Sequence, residues 1–186
     1  PTTTQTMKHL RPIFVVCFAW MAAQAATAHI VLSEPKAVAG SYYKATLRVG
    51  HGCNGSATND LTVQVPAGFQ GAKPQPKFGW TVATRQAKLA TPYNSHGKTV
   101  TDDVVELRWT ATHKDNALPD EQFDEFAFMG RLPNQAGPLW VKVLQVCENS
   151  QNDWSDIPNQ GTSTRGLKSP AALLDVQAAP KHEHHH

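Results

Sequence analysis

The sequence predicts an all-β fold, an antiparallel β-sandwich built by a single domain. Apolar and polar residues alternate with a period of two in about seven short segments. Proline and glycine separate these segments at intervals of roughly 10–20 residues, as turns do between short strands. No stretch carries a sustained apolar stripe with the helical period of 3.6 residues. These three observations favour packed sheets over helices.

The predicted strands can be placed in order along the chain. Between the last two, the polar, glycine-containing segment 158–170 is predicted to be a loop. The strands cover residues 43–49, 61–65, 80–82, 105–109, 126–129, 140–146 and 173–176. Large aromatic side chains in or beside them are predicted to belong to the core: Phe78, Trp80, Trp109, Phe126 and Phe128.

The beginning of the chain has the three parts of a secretory signal peptide. A basic stretch with Lys8 and Arg11 precedes an apolar run over residues 12–23, and an A-x-A cleavage site ends at Ala28. The apolar run is too short for a membrane anchor, which needs roughly 20 residues. We therefore expect a periplasmic or secreted protein that begins at His29 and keeps no stable membrane span.

The sequence has three parts, and the expected cleavage removes the first of them. Residues 1–28 are the pre-sequence and signal peptide, 29–178 are the domain, and 179–186 are a histidine-rich tail. The tail is too short and polar to fold alone, and it is either a native metal-gathering segment or a purification-tag remnant. Without the signal peptide the chain carries as many basic as acidic residues, which argues against nucleic acid as a partner.

Cysteine usage predicts one disulfide. Cleavage removes Cys17 and leaves Cys53 and Cys147 in the domain. An even number of cysteines in an exported protein indicates a bond between them. The alternative is that one of them is a thiolate ligand of copper.

The strongest candidate for a metal ligand is His29. An α-amine has a pKa of about 7.7–8, far below that of a lysine, so copper can displace its proton at neutral pH. The amine and the ring Nδ1 of one terminal histidine together close a chelate ring. Nitrogen ligands in tetragonal geometry favour Cu(II). The sequence thus predicts a Cu(II) site at His29, with incidental exposure of a histidine by cleavage as the alternative.

Two further residues are candidates for the same site. His51 lies where a strand enters a glycine-rich loop beside Cys53, and it is either a second ligand or a structural residue. Trp154 follows Cys147, so a disulfide would bring it close to His51. It either covers the metal and excludes water, or it belongs to the core. His96 and His113 lie in polar loops and are predicted to be surface residues.

The chain resembles the YcnI-like copper-binding domains, a family long catalogued as a domain of unknown function. The resemblance spans roughly residues 29–160. It is carried by His29-Ile30-Val31-Leu32, Pro35, Ala39-Gly40-Ser41-Tyr42-Tyr43, Leu47-Arg48-Val49-Gly50-His51-Gly52-Cys53, Val65-Pro66-Ala67-Gly68, Pro76-Lys77-Phe78-Gly79-Trp80, Glu106-Leu107-Arg108-Trp109, Asp124-Glu125-Phe126 and Trp154.

The resemblance implies an Ig-like sandwich, export, and one Cu(II) held by the terminal histidine in a single-histidine brace. The terminal histidine maps to His29 and a tryptophan near the ion maps to Trp154. The family's assisting glutamate has no assignable position in this sequence. Where an acidic ligand might follow the early strand, this chain has Gly50-His51-Gly52, so His51 is a candidate substitute.

Three functions fit these features. The leading one is not enzymatic: a copper chaperone or copper-homeostasis protein that exchanges the ion with another copper-handling protein. The alternative is an oxidative enzyme that resembles a lytic polysaccharide monooxygenase, with His29 and His51 forming the brace. Ascorbate-driven turnover on polysaccharides would separate these two. The third is a non-metal adhesion or assembly module, which metal titration would identify.

Overall fold

The computed structural model describes residues 29–180, so the predicted signal peptide, Cys17 and residues 181–186 of the tail lie outside the described part. The described residues form eleven strands and one short 3-10 turn at Lys114–Asn116. The strands are β1 (Val31–Leu32), β2 (Lys36–Val38), β3 (Tyr42–Val49), β4 (Thr58–Gln64), β5 (Gln70–Pro74), β6 (Trp80–Ser95), β7 (Lys98–Ala111), β8 (Asp124–Arg131), β9 (Gly137–Cys147), β10 (Gln151–Trp154) and β11 (Ala172–Gln177).

Two sheets pack face to face and confirm the predicted sandwich. One sheet has four strands in the order β1-β3-β8-β5. The other runs β2-β11-β9-β4-β7-β6, with β10 also paired to β9. Pairing is antiparallel throughout except between β11 and β2. On one side, β9 pairs with β11 along its first half and with β10 along its second half. On its other side, the second half of β9 pairs with β4.

All seven predicted strands are present, as β3, β4, β6, β7, β8, β9 and β11. The remaining strands have two to five residues, too few for a period of two to be recognised. Strands β6 and β7 are far longer than predicted, at 16 and 14 residues. They form a hairpin whose outer half has few buried side chains, so an apolar alternation does not mark it.

The core lies between the sheets and contains four of the five predicted aromatic residues. Trp80, Trp109, Phe126 and Phe128 are buried, whereas Phe78 is 100% exposed. The prediction for Phe78 was therefore wrong. Its side chain projects from a tight turn in which the Trp80 N–H donates to the Lys77 carbonyl. Gly79 makes this turn possible with a φ of +77°, a value that favours glycine.

A Cys53–Cys147 disulfide, also predicted, joins the loop after β3 to the end of β9. It therefore ties one sheet to the other at the same end of the sandwich. His96 and His113 are exposed, as predicted, and residues 158–170 contain no strand. Within residues 29–180, no helix has the length and apolar character needed to cross a membrane.

Candidate metal centre

Buried neighbours fix the position of His29. Ile30 and Leu32 are 2% and 5% exposed and anchor the start of the described chain in the core. Val31 pairs with Arg48 of β3. Because β1 and β3 run antiparallel, His29 lies beside the chain that leaves β3 and continues to His51. The side chain of His29 itself is only partly buried.

The loop that carries His51 is held from three directions. The His51 carbonyl accepts a hydrogen bond from Gln145 Nε2 at 2.8 Å. The next residue, Gly52, donates its N–H to Asp120 Oδ1 at 3.0 Å. Cys53 then forms the disulfide. A side chain at Gly52 could not be accommodated, since its Cβ would lie 1.9 Å from the Ser56 carbonyl oxygen.

The hydrogen bonding of the His51 ring selects one tautomer. Its Nδ1 contacts the carbonyl oxygen of Gly52, so Nδ1 carries the proton. The lone pair is then on Nε2. A ring N–H donated to a backbone carbonyl is the arrangement that commonly orients a metal-binding histidine. His51 is partly buried, and its chemistry is that of a nitrogen donor through Nε2.

The indole of Trp154 lies beside both histidine rings. It is the last residue of β10, pairs with Val143 of β9, and is 5% exposed. The His29 ring meets the indole edge-on at a centroid distance of 5.7 Å, and the His51 ring does so at 6.3 Å. The segment after Cys147 therefore lies beside His51, as the disulfide predicted. Trp154 is therefore a core residue, as one interpretation predicted, and its indole also contacts both histidine rings.

Sequence reasoning missed Gln145. Its side chain is 0% exposed, in the inner face of β9. Besides the His51 carbonyl, Nε2 donates to Thr58 Oγ1 at 2.7 Å, and Oε1 accepts the Trp154 indole N–H at 2.9 Å. The available signal was an amide in register with the apolar face of Val141 and Val143, since a buried amide must be hydrogen-bonded.

The donors in this cluster are nitrogens. Both cysteines are bonded to each other, so neither is a thiolate ligand. Trp154 has no lone pair to give, because its indole nitrogen only donates. Residues 29–180 contain no group of three or more His, Cys, Asp or Glu side chains placed to hold a metal. Two imidazoles and the amine that processing at Ala28 would free fit the nitrogen-rich, tetragonal preference of Cu(II).

Three comparisons with known proteins place the chain. The model of a family described as "Domain of unknown function (DUF1775)" matches residues 29–176, most of the sequence. A crystal structure of an uncharacterized protein from Nocardia farcinica, described as having an immunoglobulin-like fold, is similar with a TM-score of 0.61. Its sequence is 23% identical, and the match covers 80% of this chain and 97% of that one.

No curated protein matches the sequence. The solved structure confirms the immunoglobulin-like character of the sandwich, and the family match begins at His29. The chain therefore belongs to the YcnI-like family, catalogued as a domain of unknown function (DUF1775).

Proposed function

We propose that the processed protein is an exported copper carrier that binds one Cu(II) ion. His29 supplies its α-amine and ring Nδ1, His51 supplies Nε2, and the Trp154 indole packs against both imidazoles. The observation that carries the proposal is the contact of both histidine rings with one buried tryptophan. Both histidines lie beside the same indole, and the hydrogen bond of His51 Nδ1 leaves its Nε2 available to a metal.

The α-amine of His29 is central to the proposal. Without it the cluster offers two imidazoles, which leaves tetragonal Cu(II) short of the four strong donors it prefers. With it there are three nitrogens, and water completes the set. Signal-peptide cleavage thereby assembles the site, since the amine is an amide until Ala28 is removed. The protein would then acquire copper only after export.

The surroundings of His29 fit exchange of the ion rather than its permanent burial. His29 and His51 are both partly exposed, and His29 borders a surface groove of about 520 Å³ between the β1 segment and β11. Three protein nitrogens with open access let a second protein's ligand enter while the first ones leave. This accessibility supports a carrier in copper homeostasis that delivers the ion to another copper-handling protein. Ascorbate-driven turnover on polysaccharides would identify an oxidative enzyme instead.

The first expected result concerns the exported protein itself. Its intact mass should correspond to a chain that starts at His29 and lacks two hydrogens because of the Cys53–Cys147 disulfide. The motivation is the cleavage site at Ala28 together with the bonded cysteines. Mass spectrometry of periplasmic or secreted material measures both features at once. A different first residue would remove the chelating amine and contradict the proposal.

A second prediction separates the roles of His51 and Trp154. In protein that starts at His29 and lacks residues 181–186, His51→Ala should remove one nitrogen from the Cu(II) paramagnetic resonance spectrum. Copper affinity should fall at least about tenfold. Losing a residue that merely hydrogen-bonds a metal ligand already costs about 10–100-fold, and His51 is proposed as a ligand itself. Trp154→Phe should keep the nitrogen count and change the solvent access or redox behaviour of the ion, because indole is not a ligand.

The matched control is His113→Ala, which removes an exposed histidine elsewhere in the chain. Its spectrum and affinity should equal those of the unaltered protein. If His51→Ala leaves the nitrogen count unchanged, His51 is structural and oxygen or water completes a single-histidine site.

A further inference from the structure

We infer that Gln145 is a positioning residue of this centre, whose buried amide sets the His51 loop and the Trp154 indole relative to each other. The inference rests on the proposed roles of His51 and Trp154 in copper binding. Its side-chain hydrogen bonds do not involve either imidazole. It acts through the backbone of one candidate residue and the indole of the other.

Hydrogen-bond chemistry dictates the orientation of this amide. The Trp154 indole nitrogen can only donate, so the Gln145 atom that meets it must be the carbonyl oxygen Oε1. The NH₂ group then faces the His51 carbonyl and the Thr58 hydroxyl, and both of its hydrogens have acceptors. A flipped amide would place a donor against the indole N–H. Only one arrangement therefore satisfies all three partners.

The position of Gln145 explains why the amide matters. The residue lies on the inner face of β9, where its neighbours Val143 and Cys147 are also buried. Burying an amide in an apolar face is favourable only when its groups are paired. Here the three partners come from three elements: the loop after β3, the start of β4 and the end of β10. Gln145 is thus a buried side chain that bonds directly to both candidate residues, beside the Ser150–Cys53 hydrogen bond between the same segments.

An apolar side chain at position 145 would break this link without removing any ligand. The His51 carbonyl and the Trp154 N–H would both lose their partner in a buried environment, which costs free energy and favours rearrangement. The expected consequence is a shift of the His51 ring and of the indole. Copper would then meet the same nitrogens in a changed geometry.

The test compares Gln145→Met, close to glutamine in length and shape, with Val141→Ala. Val141 is buried on the same face of β9, four residues earlier, so its truncation controls for loss of packing. Gln145→Met should shift the Cu(II) paramagnetic resonance parameters and weaken affinity about tenfold, with the nitrogen count unchanged. Val141→Ala should lower thermal stability and leave the spectrum as in the unaltered protein.

Two readouts on copper-free protein complete the test. In the unaltered protein the Trp154 indole proton should exchange slowly with solvent by NMR. In Gln145→Met the His51 ring resonances should shift. Fast indole exchange would overturn the inference even if Gln145→Met failed to fold. An unchanged copper spectrum in folded Gln145→Met, or an equal shift in Val141→Ala, would overturn it as well.

These readouts keep the inference distinct from the proposed function. If the unaltered protein binds no Cu(II), the proposed function fails, and the copper role of Gln145 fails with it. If it binds Cu(II) and Gln145→Met behaves identically, only the inference about Gln145 fails.

Discussion

Acetylation of the His29 α-amine is expected to weaken Cu(II) binding by about 100-fold or more. Losing a residue that only hydrogen-bonds a metal ligand costs about 10–100-fold, and the amine is proposed to be a ligand itself. Acetylation delocalises the nitrogen lone pair into the new carbonyl, so the nitrogen becomes a far weaker donor and the chelate ring with Nδ1 is disfavoured. The modification can be directed to this position near neutral pH. An α-amine titrates at about 7.7–8, well below lysine at about 10.4, so it is the more reactive amine there.

The measurement is a competitive Cu(II) titration of protein lacking residues 181–186, with mass spectrometry confirming a single acetyl group. His29→Ala is the complementary variant, because it keeps a terminal amine and loses the ring. Both should bind weakly, since each retains only half of the chelate. Equal affinity of the acetylated and free proteins would show that His29 is not the anchor of the site.

Removal of the disulfide is expected to have the largest effect on stability. The double variant Cys53→Ala/Cys147→Ala should lower the free energy of unfolding by about 2–5 kcal/mol. The bond links residues 94 positions apart, so it restricts most of the unfolded domain. Both cysteines are also nearly fully buried, at 0% and 4% exposed, which adds a small loss of packing.

Urea denaturation of the oxidised protein and the double variant measures this effect. The native arrangement near the bond has other support, because the Ser150 hydroxyl donates to the Cys53 carbonyl and Glu148 N–H donates to the Ala57 carbonyl. We therefore expect a folded but weaker variant rather than a different fold. A loss below about 1 kcal/mol would contradict the expectation, since it would mean that the unfolded chain is hardly restricted by the bond.

The disulfide also bears on the candidate metal centre. Cys53 is two residues after His51, and Cys147 is two residues after Gln145. Without the bond, the hydrogen bond from Gln145 Nε2 to the His51 carbonyl remains as a direct tie between the same two segments. The residues that stabilise the domain and those that set the geometry of the site therefore lie in the same two segments, at one end of the sandwich.

Local sequence patterns determined much of this protein. The period of two reflects the pleat of a half-buried strand, so the seven longer strands could be recognised wherever one face is apolar. Cysteine parity determined the disulfide, and the disulfide in turn predicted that Trp154 lies near His51. The patterns could not identify β1, β2, β5 and β10, because strands of two to five residues are defined by their partners.

Only the tertiary structure decided which side chains meet. Phe78 is apolar and adjacent to a strand, yet a tight turn at Gly79 directs it outward. Gln145 appears in the sequence as one of two polar residues in β9. Pairing brings Thr58 and Trp154 to it, and the disulfide holds the His51 loop beside it. The sequence by itself determined the residue types of the candidate metal centre and most of the strands around it. The contact of both histidines with one indole also depends on the pairing of β1 with β3 and of β10 with β9, which no local pattern encodes.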